Sequence, residues 1–92
     1  MKLRQLRHFT AVASHGNFSR AAKALYLTPS SLSRQVKALE DELGVALFKR
    51  GSNSLSLTPS GQIFFEEARE ILTRVDKAIR RVQKPRRQKR RT

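Results

Sequence analysis

The run "TPSSLSRQVK", Thr28 to Lys37, sets four hydroxyl side chains, Thr28, Ser30, Ser31 and Ser33, beside a guanidinium at Arg34 and an ammonium at Lys37. Short hydroxyls donate or accept over a short reach, which suits phosphate oxygens and either kind of base edge, and Arg34 offers the planar fork that grips guanine or phosphate at two points. The same serines do not form a catalytic set. They lie in no G-x-S-x-G elbow and have no general base at helical distance. The chemistry open to them is recognition of a polyanion. At the far end of the same segment stand Glu40, Asp41 and Glu42, three of the chain's seven acids. Two roles suit that cluster. The acids could repel phosphates from the carboxyl end and so aim the other end at an anion, or they could pair with Arg4, Arg7 or Lys37.

Composition supports the polyanion. Lysine and arginine total 20 against seven acids, a formal charge of +13 in 92 residues. From Arg80 onward the chain holds eight basic and no acidic residues, so residues 1–79 carry +5. Most of the excess thus lies in "RRVQKPRRQKRRT" (80–92), of which 83–92 is expected to be a flexible tail that adds salt-sensitive, non-specific affinity for nucleic acid. Cysteine is absent, which closes the thiolate zinc routes. His8 and His15 are the only histidines and suit surface or partly buried positions better than a metal. No cofactor is implied, and paired carboxylates, a metal cluster and a phosphate-binding glycine loop are all missing, so the chain reads as a non-enzyme. No apolar run approaches the ~20 residues of a membrane span, and the expected setting is soluble and intracellular.

The elements that must position Thr28 to Lys37 are legible from periodicity and caps. Leu3, Leu6, Phe9 or Thr10, and Ala13 define a first helix stopping near Gly16 and Asn17. Ser19 is the expected N-cap of a short second helix, with Phe18 as a staple against Ala22 or Lys23, and Ala21, Ala22 and Leu25 as its inner face. After "YLT", Thr28 and Pro29 read as cap and first position of a third helix running to Leu43 and stopped by Gly44. Leu32, Val36 and Leu39 form its buried stripe, and Ser30, Arg34 and Lys37 its outer side, flanked by Ser33 and Ala38. "VALFKR" and "LSLT" are short strands around the turn residues "GSNS". Thr58 and Pro59 then open a helix of some 24 residues, about 36 Å long. Along it Phe64, Ala68, Ile71, Val75, Ala78 and Val82 alternate spacings of four and three, with Phe65, Leu72 and Ile79 beside them. Such a seam outruns a small globule, so its distal turns are expected to pair with a second copy. Phe64 and Phe65, by this placement, serve core or dimer packing rather than base stacking.

Two helices joined by a short turn, the second with a serine-arginine face, make a helix-turn-helix over about 18–37, and the hairpin over about 46–57 makes it winged. The fold class is mainly α: a winged helix-turn-helix over 1–58 followed by a linker and dimerisation helix over 59–82. From "LRQLRHFTAVASHGNFSRAAKALYLTPSSLSRQVKALEDELGVALFKR" through "LTPSGQIFFEEA", the chain resembles the amino-terminal DNA-binding domain of LysR-type transcriptional regulators. The resemblance rests on the "AA" of the second helix, "LSRQVKALEDELG", "LF.R" and "LTPSG", and covers residue 1 to about Val82.

This resemblance implies a sequence-specific regulator that binds a pseudo-palindromic operator in double-stranded DNA as a homodimer, in the cytoplasm at the bacterial nucleoid. The third helix would enter the major groove amino end first, assigning contacts to Thr28, Pro29, Ser30, Ser31, Ser33, Arg34 and Lys37. The family's wing approaches the minor groove or backbone, which implicates Lys49, Arg50, Ser52 and Asn53. The dimer contact falls to Phe64, Ala68, Ile71, Leu72, Val75, Ala78, Ile79 and Val82. The chain departs from the family at Pro29, where many members have glutamine, and at Asn53, where some have arginine, which removes a possible base contact and weakens the expected minor-groove contact. Relatives continue into an inducer-binding domain, and a chain of this length is expected to hold no inducer site. The alternative function is a non-specific nucleoid or RNA binder driven by the basic tail.

Overall fold

In the computed structural model the described residues are 1–51 and 55–91, with side chains as far as Gln83. The order of elements is α1 (Leu3–His15), α2 (Phe18–Ala24), α3 (Pro29–Leu43), β1 (Phe48–Arg50), β2 (Leu55–Leu57) and α4 (Pro59–Arg91). This is a winged helix-turn-helix followed by a long helix. The strands form a two-stranded antiparallel hairpin in which Phe48 faces Leu57, Lys49 faces Ser56 and Arg50 faces Leu55.

Local chemistry explains most helix ends. Gly16 and Gly44 take the left-handed conformation that closes α1 and α3, at φ of 66° and 74°. Thr28 caps α3 by accepting from the Ser31 amide at 3.1 Å, with Pro29 in the first turn, as the sequence predicts. The start of α2 differs. Asn17, not Ser19, is the cap: its backbone is extended and its Oδ1 accepts from the Arg20 amide at 2.9 Å. Phe18 is therefore the first helical residue, and its ring turns to Phe48, 6.0 Å away between centroids, instead of stapling the helix. The last helix also differs, running to Arg91 rather than ending at 82.

Phe9 on α1 is the hub of the core. Its ring lies 5.4 Å from Phe48, 5.3 Å from Phe64 and 6.3 Å from Phe65, so one side chain joins α1 to the hairpin and to α4. Tilted and edge-on pairs of this kind add to the stabilisation that burial itself provides. Leu6, Val12, Ala21, Ala22, Leu32, Val36, Leu39, Leu47 and Ala68 complete the buried set. Of the residues whose spacing marks α1, Leu3 is exposed and Ala13 half-buried, while Val12, outside that set, is fully buried. His8 is also buried, and among the described residues its Nδ1 has no hydrogen-bond partner.

The proximal part of α4 is locked to the loop before β1. Thr58 donates its amide to the Leu47 carbonyl at 3.0 Å and its hydroxyl to the Ala46 carbonyl at 2.6 Å, while that hydroxyl accepts from the Gly61 amide at 2.9 Å. A Cβ on Gly61 would collide with the Leu47 carbonyl oxygen. The glycine of "LTPSG" is what lets a helix approach a backbone this closely.

Candidate nucleic-acid interface

The helix-turn-helix consists of α2 and α3 joined by residues 25–28. Ala21 and Ala22 are fully buried, small enough to let α2 cross α3 closely, and Leu32, Val36 and Leu39 seal the inner side of α3. The outer side is thereby fixed. Thr28, Pro29, Ser30, Arg34 and Lys37 are exposed, and Ser31 and Ser33 are half-buried. Ser30, Arg34 and Lys37 follow one another at spacings of four and three, so they share one exposed face.

The hydroxyls are not equally free. Thr28 Oγ1 is used by the helix cap and also lies 3.4 Å from Ser30 Oγ. Its role is to shape the first turn of α3, while Ser30 extends the same polar edge outward. Lys37 lies 3.3 Å from Asp41, a pair that is about two thirds exposed and so weakly held. Among the described residues Arg34 has no ion-pair partner.

In the wing, Lys49 and Arg50 are both exposed. Arg50 is nonetheless oriented from beneath, with a guanidinium nitrogen 3.4 Å from Glu40 Oε1 and the group 5.7 Å above the Phe18 ring. The expected contacts at Ser52 and Asn53 lie outside the described residues.

The three acids take three different places, and the expected pairing with Lys37 is met by Asp41. Glu40 is buried, and its Oε2 accepts from the amides of Leu47 at 2.7 Å and Phe48 at 3.1 Å. Asp41 pairs with Lys37, and Glu42 Oε2 lies 2.8 Å from the Met1 amino group, which holds the Glu42 carboxyl below its usual range. The expected partners Arg4 and Arg7 are not used. Arg7 instead reaches Asp76 on α4 at 3.7 Å. Sequence reasoning missed Glu40, although a signal existed: it follows Leu32 and Val36 at four-residue steps, on the margin of the buried stripe.

The apolar seam of α4 divides. Ala68 is fully buried and Phe64 and Leu72 pack on the domain's own core. Val75 is half-buried, while Ile71, Ala78, Ile79 and Val82 are exposed. Ile63, outside the expected seam, is exposed as well.

Residues 3–62 match the family described as bacterial regulatory helix-turn-helix protein, lysR family. The SDS degradation transcriptional activation protein of a Pseudomonas species is 50% identical over 78 residues, 85% of this chain and 25% of that protein. The structure is similar to the BenM DBD/catB site 1 DNA complex, with TM-score 0.89, 39% identity, and coverage of 91% of this chain and 93% of that one. It is also similar to full-length CbnR complexed with target DNA, with TM-score 0.83, 41% identity, and coverage of 90% of this chain and 29% of that one. The chain spans 25% to 36% of the length of three curated relatives, all of them regulators by description. With more than half of its residues on one family's pattern, and a fold similar over some nine tenths of the chain to solved members bound to DNA, the chain belongs to the lysR family of bacterial regulatory helix-turn-helix proteins.

Proposed function

We propose that this chain reads double-stranded DNA in a sequence-specific manner as the DNA-binding part of a transcriptional regulator. The carrying observation is the outer face of α3, where Ser30, Arg34 and Lys37 project from a helix whose opposite face is sealed into the core. A helix held this way inserts its amino-terminal turns into a major groove, where Arg34 meets guanine or phosphate and the hydroxyls meet either. DNA in the complexes of the similar BenM and CbnR chains supports the reading. On this reading residues 1–58 are the reader, 59–82 the linker and dimerisation helix, and 83–92 a basic segment that strengthens binding without choosing sequence. On the same reading the wing residues Lys49 and Arg50 meet the backbone, and contacts are assigned to Ser52 and Asn53 as well.

The dimer contact is assigned to the distal part of α4, through Ile71, Val75, Ala78, Ile79 and Val82, because Phe64, Ala68 and Leu72 are engaged by their own domain. A symmetric pair would present two α3 helices to half-sites about one helical turn apart. The chain performs no catalysis, and it works in the cytoplasm, where a bacterial chromosome is met.

Selection from random-sequence duplexes, followed by footprinting, tests the proposal. A single motif with two-fold symmetry is the expected result. Uniform protection with no enriched motif, abolished by deleting residues 83–92, would establish the tail-driven binder instead.

A further inference from the structure

Three helices of the domain end in a left-handed residue: Gly16 at φ 66°, Gly44 at φ 74° and Tyr26 at φ 59°. The turn at Tyr26 is fixed by two reverse hydrogen bonds, from the Leu27 amide to the Ala22 carbonyl at 2.8 Å and from the Tyr26 amide to the Lys23 carbonyl at 3.3 Å. This is a Schellman closure, which requires a left-handed residue at the position Tyr26 holds. Glycine meets the requirement without strain, asparagine with little, and an aromatic residue poorly. The ring gains nothing from the fold in return, because Tyr26 is 95% exposed, the most exposed of the large hydrophobic side chains described. The turn explains the backbone angle and leaves the choice of side chain unexplained.

Position supplies the explanation. Tyr26 stands two residues before the cap of α3, so its Cα lies within about 11 Å of Pro29 along the chain, at the end of α3 that enters the groove. Its surroundings suit an anion: Arg20 and Lys23 on α2 are exposed, and the sequence contains no acidic residue before Glu40. Tyrosine is among the side chains that bond to phosphate oxygens in protein–DNA contacts, and such contacts fix register without reading sequence.

We propose that Tyr26 is a DNA-backbone contact. Its hydroxyl donates to a phosphate oxygen on the strand bordering the groove that α3 occupies, and its ring lies along the adjoining deoxyribose. This inference rests on the DNA-reading function proposed above and adds a contact outside α3 and the wing.

The test compares the wild-type chain with Tyr26→Phe and Tyr26→Asn, by fluorescence anisotropy on random-sequence duplex DNA and by thermal unfolding. Tyr26→Asn is expected to unfold at the same or a higher temperature, because asparagine tolerates the left-handed backbone, while Kd rises about fivefold. Tyr26→Phe keeps the ring and loses the donor, so Kd rises about threefold. The slope of log Kd against log salt stays unchanged, since no cation is removed. Wild-type affinity in both variants overturns the inference, as does a lower unfolding temperature in Tyr26→Asn, which would make the ring part of the fold. A wild-type chain that fails to bind duplex DNA is a different result: it removes the proposed function, and this contact falls with it.

Discussion

Glu40, near the end of α3, binds through one carboxylate oxygen to the amides of Leu47 and Phe48, at 2.7 and 3.1 Å, where the wing begins. The carbonyl of the same Leu47 accepts from Thr58 at the head of α4. One peptide segment is thus the junction of α3, the hairpin and α4. The arrangement fixes where β1 starts relative to α3, and hence where Lys49 and Arg50 stand relative to Arg34.

Removing the charge at that junction is costly. Hydrogen bonds to an ionised acceptor contribute about 1.5–3 kcal/mol each, and an amide at the same place keeps only part of that. Glu40→Gln is expected to lose about 2 kcal/mol in urea unfolding, whereas Asp41→Asn, whose pair is exposed, loses under about 0.5 kcal/mol. Equal effects in the two variants would deny Glu40 its special place.

Gly61→Ala drives a methyl group into the Leu47 carbonyl and forces α4 away from the wing. Overpacking of this sort costs about 1–3 kcal/mol. A drop of that size in unfolding free energy is expected, and an unchanged midpoint would show that α4 can shift without loss.

His8 gives a pH dependence. Burial lowers its pKa below the usual 6.5, the Gln35 side chain offsets this in part, and the Arg4 charge lowers it further. The unfolded chain therefore binds a proton more readily than the folded one, so stability is complete above about pH 6.5 and falls as pH drops through that value toward the folded pKa. In His8→Gln that decline disappears from the stability profile measured between neutral pH and about pH 5. A decline that persists unchanged assigns the effect to other groups.

Arg34→Ala and Lys37→Ala separate sequence reading from attraction. Loss of a bidentate base contact costs about 1–3 kcal/mol of discrimination, while loss of a phosphate contact weakens all duplexes and lowers the salt slope by about one. The first pattern is expected for Arg34 and the second for Lys37, read from Kd on selected and scrambled duplexes across a salt series.

Ile79→Glu places a charge on the free stretch of α4, where Ile79 is 48% and Val82 72% exposed. Folding is unaffected, and sedimentation is expected to show a shift from dimer to monomer. A dimer that survives both this change and Val82→Glu locates the contact elsewhere.

Local sequence placed the helices and most of their caps and faces, although the cap of α2 fell to Asn17 rather than Ser19. Thr28 with Pro29, the stops at Gly16 and Gly44, and the Leu32, Val36 and Leu39 stripe are settled by atoms within a turn or two of one another, so period and cap chemistry suffice to place them. Tertiary structure decided how those pieces are joined and how much of each surface remains free. The seam of α4 looked uniform along the chain, yet Phe9 claims Phe64 for the domain's own core while Ile79 and Val82 stay exposed. Glu40 looked like one acid of three until the amides of Leu47 and Phe48 arrived beside it. Those outcomes depend on groups far apart in sequence that meet only when the chain has packed, and no local pattern encodes which of several acids or apolar residues will be met.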